Sequence, residues 1–183
     1  ARVSYDADWR AGEDEGKDAK LIKYLLKNKH SSPFESVVFT FEVKAPIFVF
    51  RQWHRHRTFS FNEISARYTT LDEGFYVPDP KHVGVQSPDN KQMRKMTDEV
   101  TFKQQQAVEI IEANSEEAYA AYCGLIDSGV PRELARSVLP LATYSRMFAT
   151  VDLHNLLHFI KLRMHEHSQY EIRVYAEAIV QLI

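Results

Sequence analysis

Hydrophobic positions along the chain follow two different periods. In residues 19–30, AKLIKYLLKNKH, Leu21, Ile22, Leu25 and Leu26 recur at helical spacing with lysines opposite, and His30-Ser-Ser-Pro33 breaks the helix. Residues 36–44, SVVFTFEVK, alternate instead. Val37, Phe39, Phe41 and Val43 face one way and Thr40, Glu42 and Lys44 the other, as in a half-buried strand. Pro46 suits the first turn of a helix that IFVFRQWHR continues, with Gln52 and Arg55 sharing a face.

Residues 92–126 predict one long polar amphipathic helix with Val108, Ile111, Tyr119, Tyr122 and Ile126 as its apolar stripe, ended at Ser128-Gly129. Pro131 opens and Pro140 closes a further helix carrying Arg132 and Arg136 on one side. Residues 143–151, TYSRMFATV, suit a strand or a helix. From Asp152 the pattern is helical: Leu153, Leu156, Leu157 and Ile160 form one stripe, His154, His158, Lys161 and His165 a second, and Arg163 borders the first. Acidic residues 5–18 predict a loop, and 58–90, with three prolines, irregular structure holding one short strand. About five helices and a few strands predict an α+β fold: a single domain over residues 1–183, with a small, mostly antiparallel sheet packed against several helices. The long polar helix is hard to bury in one small domain, which predicts an oligomer.

Composition narrows the class. The chain has 183 residues, 44% hydrophobic and 26% charged, with a formal charge of −2. These values fit a folded domain and count against a basic nucleic-acid binder. A single cysteine, Cys123, excludes an intrachain disulfide and fits a reducing, cytoplasmic compartment. No apolar run is long enough to span a membrane. Ala1 in place of Met suggests a clipped start.

Positive charge is concentrated in Arg51–Arg57, RQWHRHR, although the whole chain is nearly neutral. Arginine offers a planar fork of donors matched to phosphate and carboxylate oxygens, so this stretch is a candidate anion site; the plainer alternative is a solvated basic turn. Glu63, Ser65 and Arg67 follow at alternate positions, so an extended backbone points all three to one side. The pattern Q-x-x-RHR-x4-NE-x-S-x-RY, starting at Gln52, resembles the signature of flavin-dependent thymidylate synthase, the thymidylate synthase complementing protein family. His30-Ser-Ser-Pro-Phe-Glu35, Val130-Pro-Arg-Glu-x-Ala-Arg136-x-x-Leu-Pro140, Leu162-Arg163 and Gln169-Tyr-Glu-Ile resemble further family segments in the same order.

The resemblance implies reductive methylation of dUMP to dTMP, with methylenetetrahydrofolate supplying the carbon and an FAD reduced by NADPH supplying the hydride. It implies a homotetramer with shared active sites, small-molecule substrates, and neither nucleic acid nor membrane as partner. An additional strand before residue 1 belongs to the family pattern. By position, Gln52, Trp53, His54, Arg55, Glu63, Ile64, Ser65, Ala66, Arg67, Arg136 and Arg163 would contact dUMP. His30, Ser32, Arg55, His56, Arg57, Glu63, Asp152, Leu153, His154 and His158 would contact FAD. Arg163 matches the arginine that activates the uracil ring. Two departures stand out: Ser36 replaces a histidine common in the family, and Asp152-Leu153-His154 replaces Asn-x-Arg.

Residue chemistry agrees with an arginine route. Cys123 has no basic neighbour in sequence to lower its pKa, which favours a core role over attack on uracil. Ser65 lacks a fixed base and suits hydrogen bonding to dUMP. The histidine pairs lack any HExxH arrangement, so no metal is assigned to them. The alternative from another class is a non-catalytic binder of nucleotides or single strands, using Trp53, Phe59 and Phe61 among the basic residues.

Overall fold

The computed structural model of the chain describes residues 15–183. Helix α1 (Glu15–Lys27) is followed by the short helix α2 (Ser32–Glu35) and strand β1 (Val38–Pro46). The loop expected over residues 5–18 lies outside the described residues as far as residue 14, but its end is already helical. Asp18 lies within α1.

Among the described residues, three strands form the main sheet in the order β1–β5–β2, and their pairings are antiparallel. Strand β5 (Tyr144–Asp152) lies at the centre, flanked by β1 and by β2 (Ser60–Glu63). The ambiguous TYSRMFATV segment is therefore a strand. Ser145, Met147, Ala149 and Val151 alternate inward along it, and both of its edges are paired. On β1, Val43 and Ala45 are buried and Phe39 and Phe41 half-buried, as the alternation predicts.

Helices α3 (Ile47–Trp53), α6 (Leu153–Arg163) and α7 (Tyr170–Leu182) close the core over this sheet. They contribute Val49, Phe50 and Trp53, then Leu156 and Phe159, then Ile172, Ala176 and Ile179. Trp53 stacks on Phe159 with ring centroids 4.8 Å apart. Both side chains are fully buried, so this pair ties α3 to α6.

The long helix starts later than the pattern suggests. Strands β3 (Val85–Gln86) and β4 (Arg94–Lys95) pair as a small antiparallel ribbon, and α4 runs only from Phe102 to Asp127. Thr101 and Gln104 fix its start through a capping box: the Thr101 hydroxyl accepts from Gln104 N–H, and the Gln104 side chain accepts from Thr101 N–H. Gly84, at φ +63°, abuts the ribbon, and a Cβ there would lie 2.7 Å from the Lys95 carbonyl oxygen. Gln104, Ser115 and Tyr122 are the buried positions of α4, whereas Ile110 and Ile111 are exposed. The expected stripe is thus only partly covered.

Helix α5 (Arg132–Ala135) is also shorter than expected and passes into a 3-10 turn at Arg136–Val138. Leu139 is extended because it precedes Pro140. Among the described residues, no helix is long and apolar enough to cross a membrane.

Candidate functional site

The basic motif lies where α3 ends. Pro46 is the N-cap of α3 rather than its first helical residue, and the helix stops at Trp53. The expected helical face shared by Gln52 and Arg55 does not extend that far. The chain instead turns, with Arg55 N–H donating to Gln52 O and His56 N–H to Trp53 O. The turn sends His56 inward and leaves Arg55 and Arg57 exposed. The His56 ring packs edge-on against Phe159, with centroids 4.8 Å apart. Trp53 is wholly core, so its side chain is not available to a ligand at the surface.

Arg163, at the end of α6, reaches this turn. Its Nε donates to His56 Nε2 at 2.8 Å and its Nη2 to Gln52 O at 3.0 Å. Burial lowers the His56 pKa to about 4, assisted by the positive charge of Arg163 and by His158. His56 is therefore neutral at pH 7. With Nε2 accepting, its proton resides on Nδ1. Burial also lowers the pKa of Arg163, a residue type that stays charged in proteins. Two bonds to the protein hold this guanidinium, and its Nη1 end is uncommitted among the described residues.

A second group surrounds a cavity of about 360 Å³ between the end of β2 and the 3-10 turn after α5. His54, Glu63, Ile64, Ser65, Ala66 and Arg136 line it. Arg51, which the sequence placed in the candidate anion stretch but the resemblance did not assign, and Ser145, which was no candidate, line it as well. Glu63 Oε1 accepts from Ser145 Oγ at 2.8 Å, and Glu63 Oε2 lies 4.0 Å from His54 Nε2. The signal for Ser145 was the alternation of β5, which carried no weight while strand and helix were equally open.

The expected common direction of Glu63, Ser65 and Arg67 holds for Glu63 and Ser65, which line the same cavity, and fails for Arg67. Strand β2 ends at Glu63, and the backbone turns at Ser65, whose carbonyl accepts from Tyr68 and Thr69 N–H. Ser65 Oγ accepts from Arg67 N–H at 3.3 Å, and the Arg67 side chain goes to Glu133 at 3.7 Å. The local hydroxyl bond competes with strand extension. Gln52, Arg55, Arg67 and Arg163 do not line this cavity.

A third group is mostly apolar. His30, His154 and His158 meet across a cavity of about 300 Å³ walled by Leu25, Phe34 and Leu157, with Lys29 and Lys161 at it. Residues Ser32, Asp152 and Leu153 lie outside that lining. Asp152 caps α6: its Oδ1 accepts from Asn155 N–H at 3.0 Å and its Oδ2 from the Asn155 amide at 2.6 Å. Hydrogen bonding to Asn155 lowers the Asp152 pKa against the effect of burial, which raises it. Leu153 N–H donates to Val37 O.

A polar relay leads away from Gln52. Its Nε2 donates to Gln169 Oε1, Gln169 Nε2 donates to Glu171 at 2.9 Å, and Glu171 is held by Arg94 and Tyr76. Gln169 and Glu171 belong to a segment that the family resemblance marked without assigning it a role.

A family model described as thymidylate synthase complementing protein matches residues 1–183. The chain is 50% identical to the flavin-dependent thymidylate synthase of Treponema denticola over 182 residues, covering all of this chain and 67% of that protein. It is 48% identical to the flavin-dependent thymidylate synthase of Thermus thermophilus, covering all of this chain and 64% of that protein. The chain thus spans about two thirds of the length of these relatives. Among solved structures, it is similar to a UMP/dUMP methylase, PolB from Streptomyces cacaoi, bound with 5-Br dUMP. The TM-score is 0.83 and the identity 40%, over 94% of this chain and 76% of that one.

Proposed function

The chain belongs to the thymidylate synthase complementing protein family, and we propose from that premise that it methylates dUMP at carbon 5 to give dTMP. Methylenetetrahydrofolate is the carbon donor, and NADPH reduces the flavin. The observation that carries this reading is the doubly tethered Arg163 beside the Arg55-His56-Arg57 turn.

Carbon 5 of uracil is a weak nucleophile and attacks only when electron density is drawn into the ring. A charged group held against the edge of the ring stabilises that density in a site shielded from water. Arg163 meets the requirement because its orientation is set before substrate arrives. Neutral His56 is part of the device. As an acceptor it holds Nε–H, whereas an imidazolium would repel the guanidinium. Cys123 lies on α4 beside Tyr119, outside the three groups of site residues, which supports an arginine route over addition of a thiolate.

The apolar cavity fits a flavin by the chemistry of its lining. Leu25, Phe34 and Leu157 offer a wall for a flat ring, and His30, His154, His158, Lys29 and Lys161 offer donors to an anionic tail. A bound FAD supplies the hydride that completes the methyl group. Ser65 and Arg136 suit the sugar and phosphate of dUMP. Because Arg163 does not line the cavity that holds them, a complete site is assembled when a second copy of the chain brings Ser65 and Arg136 against Gln52 and Arg163. A homotetramer of the kind implied by the sequence resemblance provides that arrangement.

The test is exchange of the carbon-5 hydrogen of dUMP with solvent, with reduced flavin present. Wild type should exchange it and Arg163→Ala should not, with dUMP binding less affected. Equal loss of binding and exchange would reduce Arg163 to a clamp. A protein that takes up no FAD would remove the reading altogether.

A further inference from the structure

The hydrogen bonds that link Arg94 and Gln52 converge on Glu171 as the final acceptor. Arg94 Nη2 donates to both oxygens of Glu171 at 2.6 Å, and Tyr76 Oη donates to Glu171 Oε1 at 2.9 Å. Glu171 is 4% exposed. Burial raises its pKa, but hydrogen bonds from Arg94 and Gln169 hold it below the ordinary carboxylate value, so it is ionised at pH 7. An ionised carboxylate only accepts. Gln169 must therefore turn its NH2 group toward Glu171, and its Oε1 is left facing Gln52. That oxygen also only accepts, so Gln52 must donate to it. The amide of Gln52 is left with its Oε1 and one N–H for a ligand.

We propose that Glu171 is a positioning residue that fixes the polarity of the Gln52 carboxamide through Gln169, so that Gln52 meets the bound pyrimidine nucleotide with its oxygen presented to a donor of the ligand. This inference rests on the reading of Gln52 as a nucleotide contact. A free carboxamide can rotate to present either its oxygen or its nitrogen. The relay removes that choice, because a flipped Gln169 would set its oxygen against the Glu171 carboxylate, and a flipped Gln52 would set oxygen against oxygen. The anchor comes from distant parts of the chain. Arg94 is on β4 and Tyr76 precedes β3, whereas Gln169 and Glu171 open α7. The guanidinium of Arg94 also lies 5.8 Å from the centre of the Tyr170 ring, so the small ribbon is seated on the start of α7.

The experiment uses the full chain loaded with FAD and measures dUMP affinity by equilibrium titration, FAD uptake and melting temperature. Gln169→Leu leaves the Arg94–Glu171 pair intact. It should weaken dUMP binding about tenfold, the effect of one lost oriented hydrogen bond, with FAD uptake and melting temperature unchanged. Glu171→Gln should show a similar loss, because its new amide can present either face to Gln169. Should Glu171→Gln fail to fold, Gln52→Leu paired with Gln169→Leu carries the test. The double variant should bind dUMP no more weakly than Gln52→Leu alone, since Gln169 acts only through Gln52. Wild-type affinity in Gln169→Leu, or independent losses in the Gln52 and Gln169 variants, would overturn the relay while leaving the proposed reaction standing. A wild-type chain that does not bind dUMP would remove the reading beneath it.

Discussion

Arg163 donates its Nε–H to His56 Nε2 at 2.8 Å, so a cation and a neutral imidazole 107 positions apart in the chain share one hydrogen bond. The bond exists because α6 and α3 pack through Phe159 and Trp53, which sets the end of one helix beside the turn after the other. The middle residue of the RHR motif thus holds Arg163 in place, while its two arginines remain exposed.

Replacing His56 should therefore affect chemistry through Arg163. His56→Phe keeps an aromatic ring against Phe59 and Phe159 but removes the acceptor. The carbon-5 exchange rate should fall about 10- to 100-fold, as expected for a loosened electrostatic group. His56→Gln, which restores an acceptor oxygen, should recover part of that loss. Equal rates in the two variants would separate His56 from the action of Arg163.

The same imidazole makes stability depend on pH. Its folded pKa of about 4 lies below the ordinary value of 6.5. Between these values the unfolded chain binds a proton that the folded chain excludes, so stability falls as pH drops from 6.5 toward 4. The full shift corresponds to at most about 3 kcal/mol. Glu171 and Asp152, whose pKa values are lowered, add a loss only as the pH approaches the carboxylate range. Denaturant unfolding between pH 6.5 and 5 should show a declining free energy in wild type and a flatter one in His56→Phe. Parallel profiles would assign the decline to other groups.

Much of this geometry was legible in the sequence, and its limits have physical causes. The alternation of Phe39, Phe41 and Val43 marked β1 because one face of that strand is buried. Strand β5 was harder to read, since its branched and aromatic residues suit either period until both edges are paired. The start of α4 was placed too early: the stripe read from the sequence begins only at Val108, and the Thr101–Gln104 capping box that fixes the helix start was not read. Within the site, RHR read as three basic residues facing an anion, yet only the structure separates an inward histidine from outward arginines. Long-range partners such as Arg94 for Glu171 are 77 positions apart, and no local pattern records them.

Asp152 offers a test of the Asp152-Leu153-His154 departure. Its carboxylate is engaged by Asn155 as the N-cap of α6. Asp152→Ala should destabilise the fold by about 1 kcal/mol. Asp152→Asn should be close to neutral, because asparagine caps about as well. If a flavin phosphate passes nearby, removing the charge should also tighten FAD binding, measured by titration of the apoprotein. A stable Asp152→Ala variant would show that the cap contributes little.

The separation of Arg163 from the cavity holding Ser65 and Arg136 leads to the strongest prediction. If one chain supplied a whole site, then Arg163→Ala and Arg136→Ala would each inactivate it, and mixing the two would restore nothing. If a site joins Gln52 and Arg163 of one copy to Ser65 and Arg136 of another, mixed oligomers contain sites in which both contributing faces are wild type. Random assembly of equal amounts makes roughly a quarter of the sites complete in this sense. The two variants, each inactive alone, should then regain roughly that share of wild-type exchange when refolded or expressed together. Subunit exchange must occur for activity to return, so mixing intact preassembled oligomers should give less than co-expression. Pairing Arg163→Ala with His56→Phe is the control, because those residues bond within a single chain. One face then carries a defect in every site, and activity should not return. Absence of recovery in the main pair despite shown co-assembly would place the whole site within one chain, and recovery in the control would show that Arg163 and His56 serve a site from different copies.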